Sequence, residues 1–156
     1  MTASDPRKLR MRKILFAGVL ALAALVIVLA ARENRTWNIP EEAKQMKNPL
    51  QPSPAALQAA RELYPENCAQ CHGATGKGDG PEAHLHDPLP SDLSDRPHAA
   101  AVTDGELFYR ISEGRKPMPA FKKRLTEDQR WQLVLLIRSF SPPQNSPQQP
   151  TPVNKP

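Results

Sequence analysis

The chain has 156 residues, of which 39% are hydrophobic and only 5% aromatic, with 18 prolines and two cysteines. That leaves room for one ordinary domain with attachments, much of it loop, and excludes a large β-sandwich, a Rossmann domain and a disulfide-rich scaffold. The formal charge of +5 sits at the N-terminus: residues 1–35 hold seven Lys/Arg against two Asp/Glu, and residues 36–156 hold fourteen of each, so a nucleic-acid-binding reading loses its support.

Residues 1–13 form a basic segment carrying Arg7, Lys8, Arg10, Arg12 and Lys13. The uncharged run Ile14–Ala31 that follows is rich in Leu, Val and Ala, and it is just long enough to cross the hydrocarbon core, which takes roughly 17–25 apolar residues as a helix. The expectation is a single-pass anchor over 14–32 in the inner (cytoplasmic) membrane. Basic residues before it predict a cytoplasmic N-terminus and a body on the periplasmic, extracytoplasmic side. A cleaved signal peptide is the competing reading, with Val28-Leu29-Ala30 as a weak cleavage site. Signal h-regions usually run about 7–15 residues, so the length favours a retained anchor.

Residues 33–52 are polar, with Pro40, Pro49 and Pro52, and read as a semi-extended tether with a turn of helix around Glu41–Lys47. Residues 141–156 hold six prolines among polar residues and read as a disordered or polyproline-like Pro/Gln-rich tail. The foldable piece is 53–140. Ser53-Pro54 is an N-cap and first-turn pair ahead of Ala56, Leu57, Ala60, Leu63 and Tyr64 at helical spacing. Pro65 is expected to kink or restart that helix. Thr103 with Glu106, and Thr126 with Gln129, are capping boxes for two further helices, the first stopped by Gly114 and the second by Pro142-Pro143. No segment alternates as a strand, so the domain is read as all-α with long loops. Its core is thin enough to need a staple or a bound group.

Cys68-Ala69-Gln70-Cys71-His72 supplies one, being the c-type haem attachment pattern. Two thiols three residues apart on one helical turn reach the two vinyl groups of a haem as thioethers, and the adjacent His72 lies under the iron as proximal ligand. A redox dithiol would want a βαβ context that is absent. A zinc site could recruit Cys68, Cys71, His84 and His86, but one residue separates the histidines where three to five are usual.

From about Ser53 to Phe140 the chain resembles a class I cytochrome c domain of the small, monohaem bacterial kind. The resemblance rests on the haem motif continued as Gly73-Ala74-Thr75-Gly76-Lys77-Gly78-Asp79-Gly80-Pro81, on Asp104-Gly105-Glu106-Leu107-Phe108, on Met118-Pro119-Ala120-Phe121, and on Leu125-Thr126-Glu127-Asp128-Gln129. It implies three or more short helices around one covalently bound haem c, and a crossing of the first and last helices where Ala60, Tyr64 and Trp131 supply a small residue and an aromatic pair. Pro65 departs from the family's unbroken helix. The resemblance also implies Met118 as the sixth, distal iron ligand. Independently, Met118 is the only methionine in 53–140, and Pro117 and Pro119 flank it, which favours an extended, stiff loop. His84, His86 and His98, the rival ligands, read as surface histidines. In the family a proline carbonyl orients the proximal imidazole; Pro81 and Pro88 both qualify.

Charge is uneven in the folded piece. Residues 66–106 hold eight acids against two bases, and 110–138 eight bases against three acids. Arg115, Lys116, Lys122, Lys123 and Arg124 bracket Met118, which fits steering toward a redox protein with an acidic docking surface. The expected function is one-electron transfer by a membrane-anchored cytochrome with His/Met-ligated iron, in a respiratory or photosynthetic chain: a carrier, not an enzyme. The alternatives are a haem subunit fixed in a larger membrane oxidoreductase complex, and a haem sensor or enzyme with an open sixth site. N-terminal sequencing of the mature protein is expected to read the basic segment; a start near Ala31 would mean a cleaved signal and a soluble carrier.

Overall fold

A computed structural model describes residues 6–33 and 37–141, which fall into two units, one ending at Asn38 and one beginning at Ile39. The first unit is a single helix, α1 (Pro6–Glu33). Its stretch Arg10–Leu29 is long and apolar enough to cross a membrane, and none of it is buried. The tail beyond Ser141 lies outside the described residues.

The second unit contains α2 (Glu41–Gln45), α3 (Pro54–Tyr64), α4 (Gln70–His72), α5 (Arg96–Ala101), α6 (Asp104–Glu113) and α7 (Glu127–Phe140). A π-helical turn over Pro65–Ala69 joins α3 to α4, and a 3₁₀ turn covers Ala83–Leu85. Among the described residues there is no strand, only an isolated antiparallel bridge between Arg115 and Met118.

The helices begin where the caps place them. Ser53 Oγ accepts the Ala56 N–H at 3.1 Å. Thr103 accepts from Glu106 N at 3.1 Å while Glu106 accepts from Thr103 N at 2.8 Å, and Thr126 and Gln129 repeat the exchange ahead of α7. Pro65, which has no N–H to give, marks the point where α3 widens into the π turn. There Asn67 Nδ2 donates to the Leu63 carbonyl at 2.8 Å.

The core lies where α3 crosses α7, and Ala60 and Val134 are completely buried in it. Tyr64 and Trp131 are buried as expected, but they do not pair with each other. Tyr64 meets Phe140 edge-on at 5.3 Å and Trp131 stacks on Phe108 at 4.0 Å, so each ring of α7 serves a different neighbouring helix. Arg130, also buried, lays its guanidinium 4.6 Å from the centre of the Phe108 ring and donates to Ser112.

Two parts of this packing escaped the sequence reading. The stretch expected as tether is docked from Ile39 onward: Ile39 and Ala43 are buried, α2 packs on α6, Thr103 Oγ1 donates to Lys44 O at 2.9 Å and Asn48 Nδ2 to Trp131 O at 3.1 Å. The second is α5, capped by Asp95, which accepts from His98 N at 3.2 Å. Its end is held by Arg138 of α7, whose guanidinium reaches Asp104 Oδ1 (2.7 Å), Ala99 O (2.5 Å) and Val102 O (2.6 Å).

Gly105 is the point of closest approach between α2 and α6, and a Cβ there would run into the Ala43 carbonyl oxygen. Gly105→Ala is therefore expected to lift α2, at a cost of about 1–3 kcal/mol for overpacking, and to speed tryptic cleavage after Lys44 and Lys47. Unchanged cleavage would show that α2 does not depend on this contact.

Candidate functional site

The π turn and α4 set Cys68, Cys71 and His72 within about one turn of one continuous helical path. A helix end leaves carbonyls without intrahelical partners, and here the following loop supplies the donors. Glu82 N bonds Gln70 O (2.8 Å), Gly80 N bonds Cys71 O (3.1 Å) and Gly78 N bonds His72 O (2.9 Å). That close run requires glycine at 80, since a Cβ would overlap the Gln70 and Ala69 carbonyl oxygens. Tyr64 Oη adds a bond to Gly73 O at 3.0 Å.

The same loop then returns beneath the histidine, and His72 Nδ1 lies 3.1 Å from the Ser91 carbonyl oxygen. A carbonyl only accepts, so Nδ1 carries the proton and Nε2 the lone pair. Burial pushes the imidazolium of His72 below its ordinary range, against a smaller opposing effect of the Ser91 bond, which keeps the ring neutral and ready to ligate. The expected proline carbonyl, of Pro81 or Pro88, is thus replaced by that of Ser91, three residues beyond Pro88.

Burial, then the neighbouring Cys71, pushes the Cys68 thiol up to about 12, and burial followed by Glu82 raises Cys71. Both thiols are thus held neutral, which leaves them poor thiolate nucleophiles. The zinc alternative fails on placement: the residues whose ligand atoms lie within 4.8 Å of one another are Cys71, Glu82 and His86, without Cys68 or His84. His84 and His98 are exposed as expected. His86 is not a plain surface histidine, for it is half-buried with Nε2 3.3 Å from Cys71 Sγ. Ser91 does not stand out in the sequence, and His86 stands out there only as a rival zinc or iron ligand, not as a neighbour of Cys71. The Ser91 contact uses a backbone atom, which any residue type would offer, and the His86 contact depends on how the loop folds back.

Met118 stands on the loop between α6 and α7. Arg115 N donates to Met118 O (2.9 Å) and Met118 N to Arg115 O (2.8 Å), closing a tight turn. Phe121 N to Ile111 O (3.0 Å) and Lys122 N to Ser112 O (3.1 Å) stitch the loop to the end of α6. Met118, Cys68 and Ala69 are all part-buried against the same apolar cluster. Of the basic residues around it, Lys116, Lys122, Lys123 and Arg124 are exposed and Arg115 is half-buried; Lys122 pairs with Glu113 at 2.9 Å. The donor set fits haem c: two neutral thiols on one turn, an imidazole with its Nε2 lone pair available, and a thioether on a braced loop.

A family model described as cytochrome c oxidase, cbb3-type, subunit III, matches residues 55–137. Among solved structures, a chain of the Kuenenia stuttgartiensis reducing HAO-like protein complex is 28% identical with a TM-score of 0.52, over 62% of this chain and 50% of that one. A c-type cytochrome, KustC0563, is 27% identical with a TM-score of 0.47, over 53% of this chain and 98% of its own. The chain thus spans half the length of the first of these. No curated protein matches it. Acid–acetone extraction is expected to leave all colour on the protein. Cys68→Ala or Cys71→Ala, with one thioether fewer, should shift the pyridine haemochrome band to longer wavelength. Colour passing into the organic phase from the unmodified protein would contradict attachment at both cysteines.

Proposed function

Since the chain belongs to this cbb3-type subunit III family of cytochromes c, whose haem c domain transfers electrons, we propose that it is a membrane-anchored carrier of single electrons with iron held by His72 and Met118. When bound, haem c supplies one reversible electron at its iron. The chain's own residues do the rest. Cys68 and Cys71 fix the group covalently. His72 is held in one tautomer and one orientation by the Ser91 carbonyl. Met118 carries this reading: its braced turn packs on the apolar cluster that also takes Cys68, so the thioether is presented from a rigid support rather than a mobile loop. A thioether in the sixth place favours the ferrous state and suits the high-potential part of a respiratory or photosynthetic chain.

The basic segment and the apolar stretch Arg10–Leu29 support a single-pass anchor, with the haem domain on the extracytoplasmic side. Exposed Lys116, Lys122, Lys123 and Arg124 beside Met118 support docking of an acidic redox protein on that face. One observation favours the reading as a fixed subunit of a larger membrane complex over a roaming shuttle. Ile39–Leu50, expected as tether, is docked on the haem domain, which supports a domain built for fixed rather than swinging attachment. Co-purification after mild detergent extraction separates the two.

With Met118 in the sixth position, the ferrous protein is expected to bind carbon monoxide poorly near neutral pH. Met118→Ala should admit carbon monoxide and lower the reduction potential, with the haem still attached. Met118→His should keep six ligands and still lower the potential. Rapid carbon monoxide binding by the unmodified, folded protein would favour a sensor or enzyme with an open site.

A further inference from the structure

The loop that caps α4 is fastened to the haem-attachment turn at three points between Glu82 and Ser91. Glu82 N holds the Gln70 carbonyl, the Ser91 carbonyl holds His72 Nδ1, and His86 Nε2 lies 3.3 Å from Cys71 Sγ. A loop pinned so closely to a small core would be expected to turn its leucines inward. Instead Leu85 and Leu89 are 67% and 68% exposed, and outside α1 they are the two most exposed large apolar side chains among the described residues. Two solvated leucines four residues apart on an anchored backbone give this loop apolar surface available to a partner.

The charge around these leucines is mostly negative, with Lys77 set against Asp92 at one end. Glu82, Asp87 and Asp92 are exposed, and no lysine or arginine occurs from residue 78 to residue 95. The Met118 loop is the reverse, with its basic cluster at 115–124. A protein complementary to the basic loop would be repelled here, because like charges brought together at an interface disfavour association and slow encounter. His86, in the same loop as both leucines, has Nε2 3.3 Å from the Cys71 sulfur, so this segment adjoins the haem-attachment turn.

Resting on the electron-carrier reading above, we propose that the segment from Glu82 to Asp92 is a second docking surface. It is apolar at Leu85 and Leu89 and acidic at its rim, and it fits a redox protein with a basic rim around an apolar patch. The carrier then has two faces of opposite sign and discriminates its two redox partners by charge.

The full chain in detergent, reduced and mixed in stopped flow with two oxidised acceptors, tests this. The probes are a strongly basic mitochondrial-type cytochrome c and an acidic blue-copper protein; in each case one electron leaves the ferrous chain and reduces the acceptor's ferric iron or cupric copper. With the basic acceptor, salt should slow the reaction, and a Leu85→Ser/Leu89→Ser double variant should lower the second-order rate constant about tenfold, equivalent to about 1.4 kcal/mol. Asp87→Asn, which leaves the leucines in place, should flatten the salt dependence. Both variants should react with the acidic acceptor as the unmodified chain does. Unchanged rates with the basic acceptor, or equal slowing with both acceptors, would overturn the surface while leaving the carrier reading intact. Transfer to neither acceptor by the unmodified chain would overturn the carrier reading and the surface with it.

Discussion

The geometry of the site depends on how the three-residue helix α4 ends. Its carbonyls at Gln70, Cys71 and His72 point out of a helix too short to satisfy them, and a buried carbonyl without a donor costs about 1–3 kcal/mol. Amides of Glu82, Gly80 and Gly78 meet them in turn. Because those three bonds fix where the loop runs, they also decide which carbonyl arrives under His72 and which side chain arrives beside Cys71. The glycine-rich sequence after the haem motif is the condition for this pairing, since the approach at Gly80 leaves no space for a side chain.

The rest of the domain compensates for its small size by fastening loops to helices. The α3–α7 crossing buries Ala60 and Val134 completely, but the apolar area available is modest for a domain of this length. The Met118 loop is tied to α6 through main-chain bonds. The segment before α3 is tied through Thr103 and Asn48, both of which donate to carbonyls. The ligand loop and the approach to α3 are thus part of the folded unit rather than appendages to it.

Where a feature is written in side-chain type and spacing, the sequence is a good guide. Ser53, Thr103 and Thr126 cap helices as their positions imply, Gly114 ends α6, and the Cys-X-X-Cys-His spacing announces the haem c that the family carries. The docking of Ile39–Leu50 was not legible because its anchors are carbonyl oxygens and the absence of a side chain at Gly105, neither of which leaves an apolar period to read. For the same reason Pro81 and Pro88 were reasonable but wrong candidates for the partner of His72: residue type says nothing about which of several loop carbonyls the backbone turns inward. The helix α5 was overlooked because it is short, and because it is held in place by a residue 37 positions beyond its end.

That residue, Arg138, constrains how the chain can vary. A planar guanidinium sends N–H groups in several fixed directions at once, and here they serve the Asp104 carboxylate and two main-chain carbonyls at the end of α5. A lysine would keep the charge but bring a single compact tip, leaving oxygens at Ala99 or Val102 without a donor. The exchange usually counted as conservative is therefore a disruptive one at this position. Tolerance to it would have to come from elsewhere, through a shortened connection between α5 and α6 or a new donor on α7. A site remote in sequence from the haem motif is in this way as restricted in its chemistry as the motif itself.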